Sequence, residues 1–161
     1  MALAAKESAI EAWYIDDSDE DQRLPHHRNP PQYVTLDKLK EMGVLTWTLD
    51  ADNYETDEEF KKVYAAQGYT YSDLVEVSKS NMEDYEVKLK SWFGVHTGAE
   101  DKTRFCLAGS GYFDVKDPKG EWVRVWQKKG GLIVLPAGLP HRYTLDTNNT
   151  HKVMRLFVTP P

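Results

Sequence analysis

Apolar and polar positions change rhythm at residue 94. Beyond it, short runs rich in Val, Leu, Phe and Tyr alternate with turn clusters: RFCLAGSG, GYFDVKDPKG, EWVRVWQKKGG, LIVLPAGLP, HRYTLDTNN and HKVMRLFV. In EWVRVWQ, Trp122, Arg124 and Trp126 share one face while Val123 and Val125 share the other, the period of a strand. DPKG has the composition of a hairpin turn. Short strands at this spacing predict an antiparallel sandwich or barrel.

Before residue 94 the pattern is mixed. AWYIDD (12–17) reads as a short strand and QRLPHHRNPPQ as a Pro-punctuated loop. In TLDKLKEMG (35–43), Thr35 is a candidate N-cap, Leu36, Leu39 and Met42 recur at helical spacing, and Gly43 ends the run. LTWTLD alternates as a strand does. Thr56 then opens TDEEFKKVYAAQG, whose acidic residues suit the first turn of a helix that stops at Gly68. NMEDYEVKLKSWF (81–93) predicts a third helix. No repeat, low-complexity stretch or linker divides the chain. The expectation is one domain over 1–161, mainly β with peripheral helices (α+β), in which a mixed part (1–93) packs on barrel strands (94–161).

Composition narrows the function classes. A net charge of −6 with no compensating basic run disfavours a phosphate-backbone partner, so nucleic acid is not expected. No apolar run approaches the length of about 18 residues that a membrane span needs, and MALAAKESAIEAWYIDD lacks a basic region followed by an apolar block. Neither membrane span nor secretory signal is expected, and the cytosol is the expected compartment. Cys106 is the only cysteine, which excludes an intrachain disulfide and a thiolate-cluster metal site. Any metal must therefore be held by His and carboxylates.

Two segments carry candidate chemistry. In GGLIVLPAGLPHRYTLDTNN, the spacing of Gly130, Pro136, Gly138 and His141 matches the second conserved motif of the cupin barrels. In WFGVHTGAEDKTRFCLAGSGYFDV, His96 and Gly109 stand at the two ends of the first cupin motif. Together with AWYIDDSDEDQRLPHHRNP, NYETDEEFKKVYAAQGYTYSDL, AGSGYFDV and LIVLPAG, these segments resemble the acireductone dioxygenase family over nearly the whole chain, most of all its plant members. The resemblance implies a cupin-type double-stranded β-helix (jelly-roll) barrel. It also implies Fe(II) or Ni(II), held by three His and one Glu, and cleavage by O₂ of an enediol intermediate of methionine salvage.

Carried over onto this chain, the family's first and last His are His96 and His141, whereas the second His position holds Gly98 and the Glu position holds Lys102. Glycine offers no ligand. An ammonium about 4 Å from a dication is repelled by about 8 kcal/mol at an effective dielectric of about 20. Deprotonating the lysine at neutral pH costs roughly 4.6 kcal/mol instead. Two losses of this kind lead to the expectation that no metal and no cofactor is used. Fe(II) or Ni(II) on a reduced triad of His96, Glu100 and His141 is the alternative, Glu100 lying four residues after His96.

The expected catalytic set is His96, Lys102, Arg104 and His141. Lys102 would serve as base, amine nucleophile or oxyanion partner, and the imidazoles would move protons. Arg104 stands where the family keeps an Arg associated with substrate. Trp92, Tyr143, Leu139 and Glu100 are the expected substrate contacts: Trp92 and Tyr143 replace the family's usual Phe, and Leu139 with Pro140 replaces Ile and Tyr. The expected function is metal-independent acid/base chemistry on a small carbonyl-type metabolite, an isomerisation, epimerisation or cyclisation through an enol, enolate or imine. The alternatives are a residual metal-dependent acireductone dioxygenase and a non-catalytic binding pseudoenzyme, with room for an unspecified protein partner. Outside the motifs, His26, His27 and His151 are expected in solvated or surface roles, DDSDEDQ as a solvated face, and Cys106 in the core.

Overall fold

A computed structural model describes residues 8–161; the leader-free reading of the first seven residues lies outside the described part. The strands are β1 (Ile10–Tyr14), β2 (Tyr33–Val34), β3 (Leu45–Thr48), β4 (Tyr71–Ser78), β5 (Lys102–Lys116), β6 (Trp122–Lys128), β7 (Gly131–Leu135), β8 (His141–Leu145) and β9 (Thr150–Phe157). The helices are α1 (Leu36–Glu41), α2 (Glu58–Ala66) and α3 (Tyr85–Trp92). The architecture is mainly β with a few helices, a curled antiparallel sheet of the cupin type. Among the described residues no helix is long and apolar enough to cross a membrane.

The sheet has two leaves joined by one strand. The C-terminal half of β5 pairs with β6 and β8, and β6 continues to β1 and β2. The N-terminal half of β5 pairs with β7 and β9, which continue to β3 and β4. RFCLAGSG and GYFDVKDPKG, read from the sequence as two runs, are thus one strand. The glycine-rich join is a crossing point, because Gly109 has a φ of +72° and a Cβ there would stand 2.2 Å from the carbonyl oxygen of Thr150. The register of β5 against β9 shifts between Cys106 and Ala108. Because side chains alternate with a period of two, the shift changes which residues face inward. Thr103 and Phe105 pack outward in the first half, leaving Lys102 and Arg104 inside, whereas Phe113 and Val115 face inward in the second.

The main core lies between the leaves and contains Ile10, Val34, Leu39, Phe113, Val115, Val123, Val125, Ile133 and Leu135. A second cluster fills the outer face of the β7/β9 leaf, where Phe60 and Val63 of α2 meet Phe105, Leu132, Val134 and Leu156. The unbroken apolar run of β7 follows from this, since one of its faces belongs to each cluster. Val123 and Val125 of β6 face the core as their period predicts. The opposite face is also covered: Arg124 is fully buried, and its guanidinium donates to both oxygens of Asp114 at 2.8 and 2.9 Å and to the carbonyls of Gln22 and Leu24.

Helix ends differ modestly from their sequence prediction. Thr35 caps α1 by accepting from the Lys38 N–H. For α2 the cap is Asp57 and not Thr56, its carboxylate accepting from the Glu59 N–H. The third helix begins at Tyr85, after a 3₁₀ turn over residues 79–81 and with Asp84 in the left-handed region at a φ of +53°. Strand β1 ends at Tyr14, before the acidic residues. Strand β4 had no prediction: its solvent-facing residues are charged or polar, and Leu74 stays exposed. Cys106 is buried, as expected.

Candidate active site

A cavity of about 230 Å³ opens at one end of the barrel between the two leaves. Lys102 and Arg104 of β5 enter it from one side, and His141 and Tyr143 of β8 from another. His151, Val153 and Arg155 of β9, Val75 and Val77 of β4, Phe113, and Trp92 at the end of α3 complete it.

The structure brings together Trp92, Lys102, Arg104, His141 and Tyr143. His96 stands at the rim: its backbone N–H and carbonyl pair with those of His141 at 2.8 and 2.9 Å, the two rings are 6.2 Å apart, and His96 is exposed. Leu139 is outside, packed against the core, and its carbonyl accepts from Nδ1 of His141 at 2.9 Å. Glu100 is also outside. It is exposed and lines a separate cleft with Gln67 and Tyr69 on the outer side of β5, so His96, Glu100 and His141 do not converge. The loop is held in that position by the Asp101 carboxylate, which accepts from the Ala137 N–H, and by Gly138 N–H donating to the Gly98 carbonyl. Strand parity fails for Glu100 because residues 97–101 are not strand.

Arg155 is paired with Asp73, whereas Lys102 and Arg104 have no carboxylate of their own among the described residues. Lys102 donates from Nζ to Nε2 of His141 at 3.0 Å. Since the Leu139 carbonyl takes the Nδ1 proton, Nε2 is the bare nitrogen and the direction of the bond is fixed. Burial first, and then the Arg104 charge, lower the pKa of the lysine. Burial likewise lowers that of His141, with the neighbouring cations adding to the effect. Arg104 has no carboxylate partner among the described residues; burial and then Arg155, opposite it in register, bring it down to about 10. Two inward cations without an anion of their own make a receptor for a small anion.

His151 was expected in a solvated or surface role and is instead buried in the cavity wall. Its Nδ1 lies 2.7 Å from the Tyr143 hydroxyl and its Nε2 2.9 Å from Oε1 of Gln127. Burial depresses it to about 4, so the ring is neutral at physiological pH. No motif includes His151. The usable signal was its place in HKVMRLFV, where strand alternation puts it on the same face as Val153. His26 and His27 are not simply solvated either: His26 bonds Asp16 at 2.8 Å and His27 stacks on Trp13 at 4.2 Å.

The residues present do not fit the metal that the resemblance implies. Gly98 supplies no donor, Lys102 occupies the lone pair of His141 that would face a cation, and Glu100 points elsewhere. Among the described residues no three His, Cys, Asp or Glu side chains gather into a metal-holding group.

Comparison with known proteins identifies the lineage. The model of the ARD/ARD' family matches residues 11–161. An acireductone dioxygenase 2 of Vitis vinifera is 58% identical over 97% of this chain and 78% of its own length. Acireductone dioxygenase 3 of Arabidopsis thaliana is 57% identical over the same shares. The structure of an acireductone dioxygenase from Bacillus anthracis with a cadmium ion in its active centre superposes with a TM-score of 0.72 at 21% identity, covering 94% of this chain and 95% of that one, a likeness in fold.

These findings correct two expectations. The metal-independent isomerase or cyclase reading is overturned, because relatives this similar over the whole chain bear the name of an oxygen-dependent enzyme. The expectation of no cofactor is overturned with it, because the relatives bear the name of the family to which the resemblance assigns Fe(II) or Ni(II). The chain belongs to the ARD/ARD' family.

Proposed function

We propose that this chain is an acireductone dioxygenase of methionine salvage that binds the enediolate substrate in the cavity lined by Lys102, Arg104, His141 and Tyr143. The observation that carries the reading is the combination of whole-chain similarity to plant acireductone dioxygenases with a retained cavity holding two unpaired cations. An enediolate is a small, flat anion, and Arg104 and Lys102 offer several donors at one end of a cavity of matching size. Desolvation by Trp92, Phe113 and the Val75, Val77 and Val153 side chains strengthens those contacts. His141, neutral and with Nε2 directed at Lys102, can pass a proton between lysine and a bound oxygen. The donor set opposes a divalent cation, so the roles given to these residues are anion binding, water exclusion and proton transfer.

One observation favours a second reading. The Lys102–His141 contact fills the place of a metal ligand pair, which supports a chain that binds the enediolate without turning it over. One experiment separates the two. Protein incubated with Fe(II) or Ni(II) is given acireductone without oxygen, then O₂ is admitted while enediol absorbance and O₂ uptake are followed. Enzyme-dependent uptake supports the dioxygenase; saturable binding with no uptake supports the second reading. Arg104→Met should weaken enediolate binding at least about tenfold in either case, since it removes a charge-assisted hydrogen bond. Unchanged affinity in that variant and no binding by the parent chain would each refute the cavity assignment.

A further inference from the structure

The hydrogen-bond chain behind Tyr143 has only one consistent direction. Gln127 donates both hydrogens of its amide nitrogen to carbonyls, those of Arg104 and Gly131, each at 2.9 Å. Its Oε1 can therefore only accept, and His151 must carry its proton on Nε2. The neutral ring leaves Nδ1 bare, so the Tyr143 hydroxyl donates to it at 2.7 Å. That uses the single proton of the phenol. No described side chain or backbone group donates to the Tyr143 oxygen, and Tyr143 lines the cavity, so its lone pairs are free to accept from a ligand.

The geometry is tightly enforced. The Tyr143 ring lies against Phe113 at 5.1 Å and Trp92 at 6.0 Å, and nearly parallel to His151 at 15°. Gly111 provides the room: a Cβ there would stand 2.8 Å from Nδ1 of His151 and 3.2 Å from the Tyr143 hydroxyl, although its backbone needs no special conformation. The phenol cannot turn away, and the imidazole behind it cannot change partner.

We propose that Tyr143, set by His151 and Gln127, is a specificity-determining acceptor that selects ligands bearing a free hydroxyl beside their anionic oxygen. Of the cavity's polar side chains, Lys102, Arg104 and Arg155 are donors and the bare nitrogen of His141 is taken up by Lys102, which leaves the Tyr143 oxygen as the acceptor. A ligand satisfies the cavity when it brings one ionised oxygen for the cations and one O–H for the phenol. The substrate class is then the singly ionised enediol rather than the dianion or a simple enolate. This deepens the proposed function and rests on it. Tyr143 acts by contact with the ligand, whereas His151 and Gln127 are positioning residues.

The test measures binding, needs neither metal nor turnover, and is done by calorimetry without oxygen. The probes are reductic acid, a cyclic enediol singly ionised at neutral pH, and the matching cyclic diketone enolate, which differs only in lacking the free hydroxyl. The chain should prefer reductic acid by about tenfold, the scale of one well-placed hydrogen bond. Tyr143→Phe should bring the ratio of the two affinities close to one. His151→Leu should also abolish the preference although Tyr143 is present, because the phenol is then free to donate, an effect that a merely space-filling His151 would not have. Nitrogen NMR of the unmodified chain gives an independent readout, with His151 protonated at Nε2 and bare at Nδ1. Equal affinity for the two probes, a ratio preserved in Tyr143→Phe, or a protonated Nδ1 would each overturn the acceptor assignment alone. Failure of both probes to bind would instead remove the enediol reading beneath it.

Discussion

Acidification should destabilise this protein in part through His151. Burial holds that imidazole at about 4, against about 6.5 in an unfolded chain. Between these values the unfolded state binds the proton more readily, so stability is complete above about pH 6.5 and declines as the pH falls toward 4. A difference of about 2.5 pH units at about 1.36 kcal/mol each amounts to roughly 3 kcal/mol, a sizeable part of the 5–15 kcal/mol typical of a domain. Urea unfolding at intervals from pH 7.5 to pH 4 measures the loss. His151→Gln provides the control, because an amide can accept from Tyr143 and donate to Gln127 without titrating in this range. Subtracting its pH profile removes the carboxylates and the other histidines. Identical profiles for the two proteins would refute the reasoning, since the imidazole would then be equally proton-hungry folded and unfolded.

Three further outcomes are expected. Gly98→His combined with Lys102→Glu should raise Ni(II) affinity at least about a hundredfold by calorimetry, because only a third of the roughly 8 kcal/mol of lysine repulsion has to be recovered; the Gly98 Cβ needs the Glu100 carbonyl, 3.3 Å away, to give slightly. Asp114→Asn leaves Arg124 buried without its counter-charge and should cost about 3 kcal/mol or more, read as a fall of roughly 10 °C in Tm. Cys106, fully buried with its thiol pushed up to about 12, should resist an aromatic disulfide reagent at pH 8 until the chain is unfolded.

Much of this fold could be read from the sequence because burial and turn chemistry agree locally. Val123 and Val125 alternate as core residues do, Thr35 and Gly43 bracket α1, and Gly120 closes the Asp117 turn with a φ of +86°. The 15-residue length of β5 was hidden, since its glycines resemble turn residues and only the approach of Thr150 explains Gly109. In the site, Lys102, Arg104 and His141 follow from motif spacing, and Trp92 and Tyr143 from their family positions. Glu100 falls outside the cavity because the path of its loop is set by Asp101 and Gly138, both bound to distant backbone, which no local pattern reveals. His151 was missed because its partners, Gln127 and Tyr143, come from two other strands and no local pattern links them. The lineage is legible in identity over nearly the whole chain, whereas the donor set that opposes a metal rests on Gly98 and Lys102.

A shared β5 makes the barrel mechanically indivisible. Each leaf uses one half of that strand as an interior member, so peeling away either leaf would leave half of β5 unpaired on both sides. Melting should therefore proceed all at once, with no half-barrel surviving. The same continuity ties the cationic end of the cavity to its aromatic wall, because Lys102, Arg104, Gly111 and Phe113 ride on one length of backbone. A ligand drawn in by the first pair meets a wall whose distance is fixed by the chain itself, so the cavity behaves as a rigid gauge rather than a closing hand.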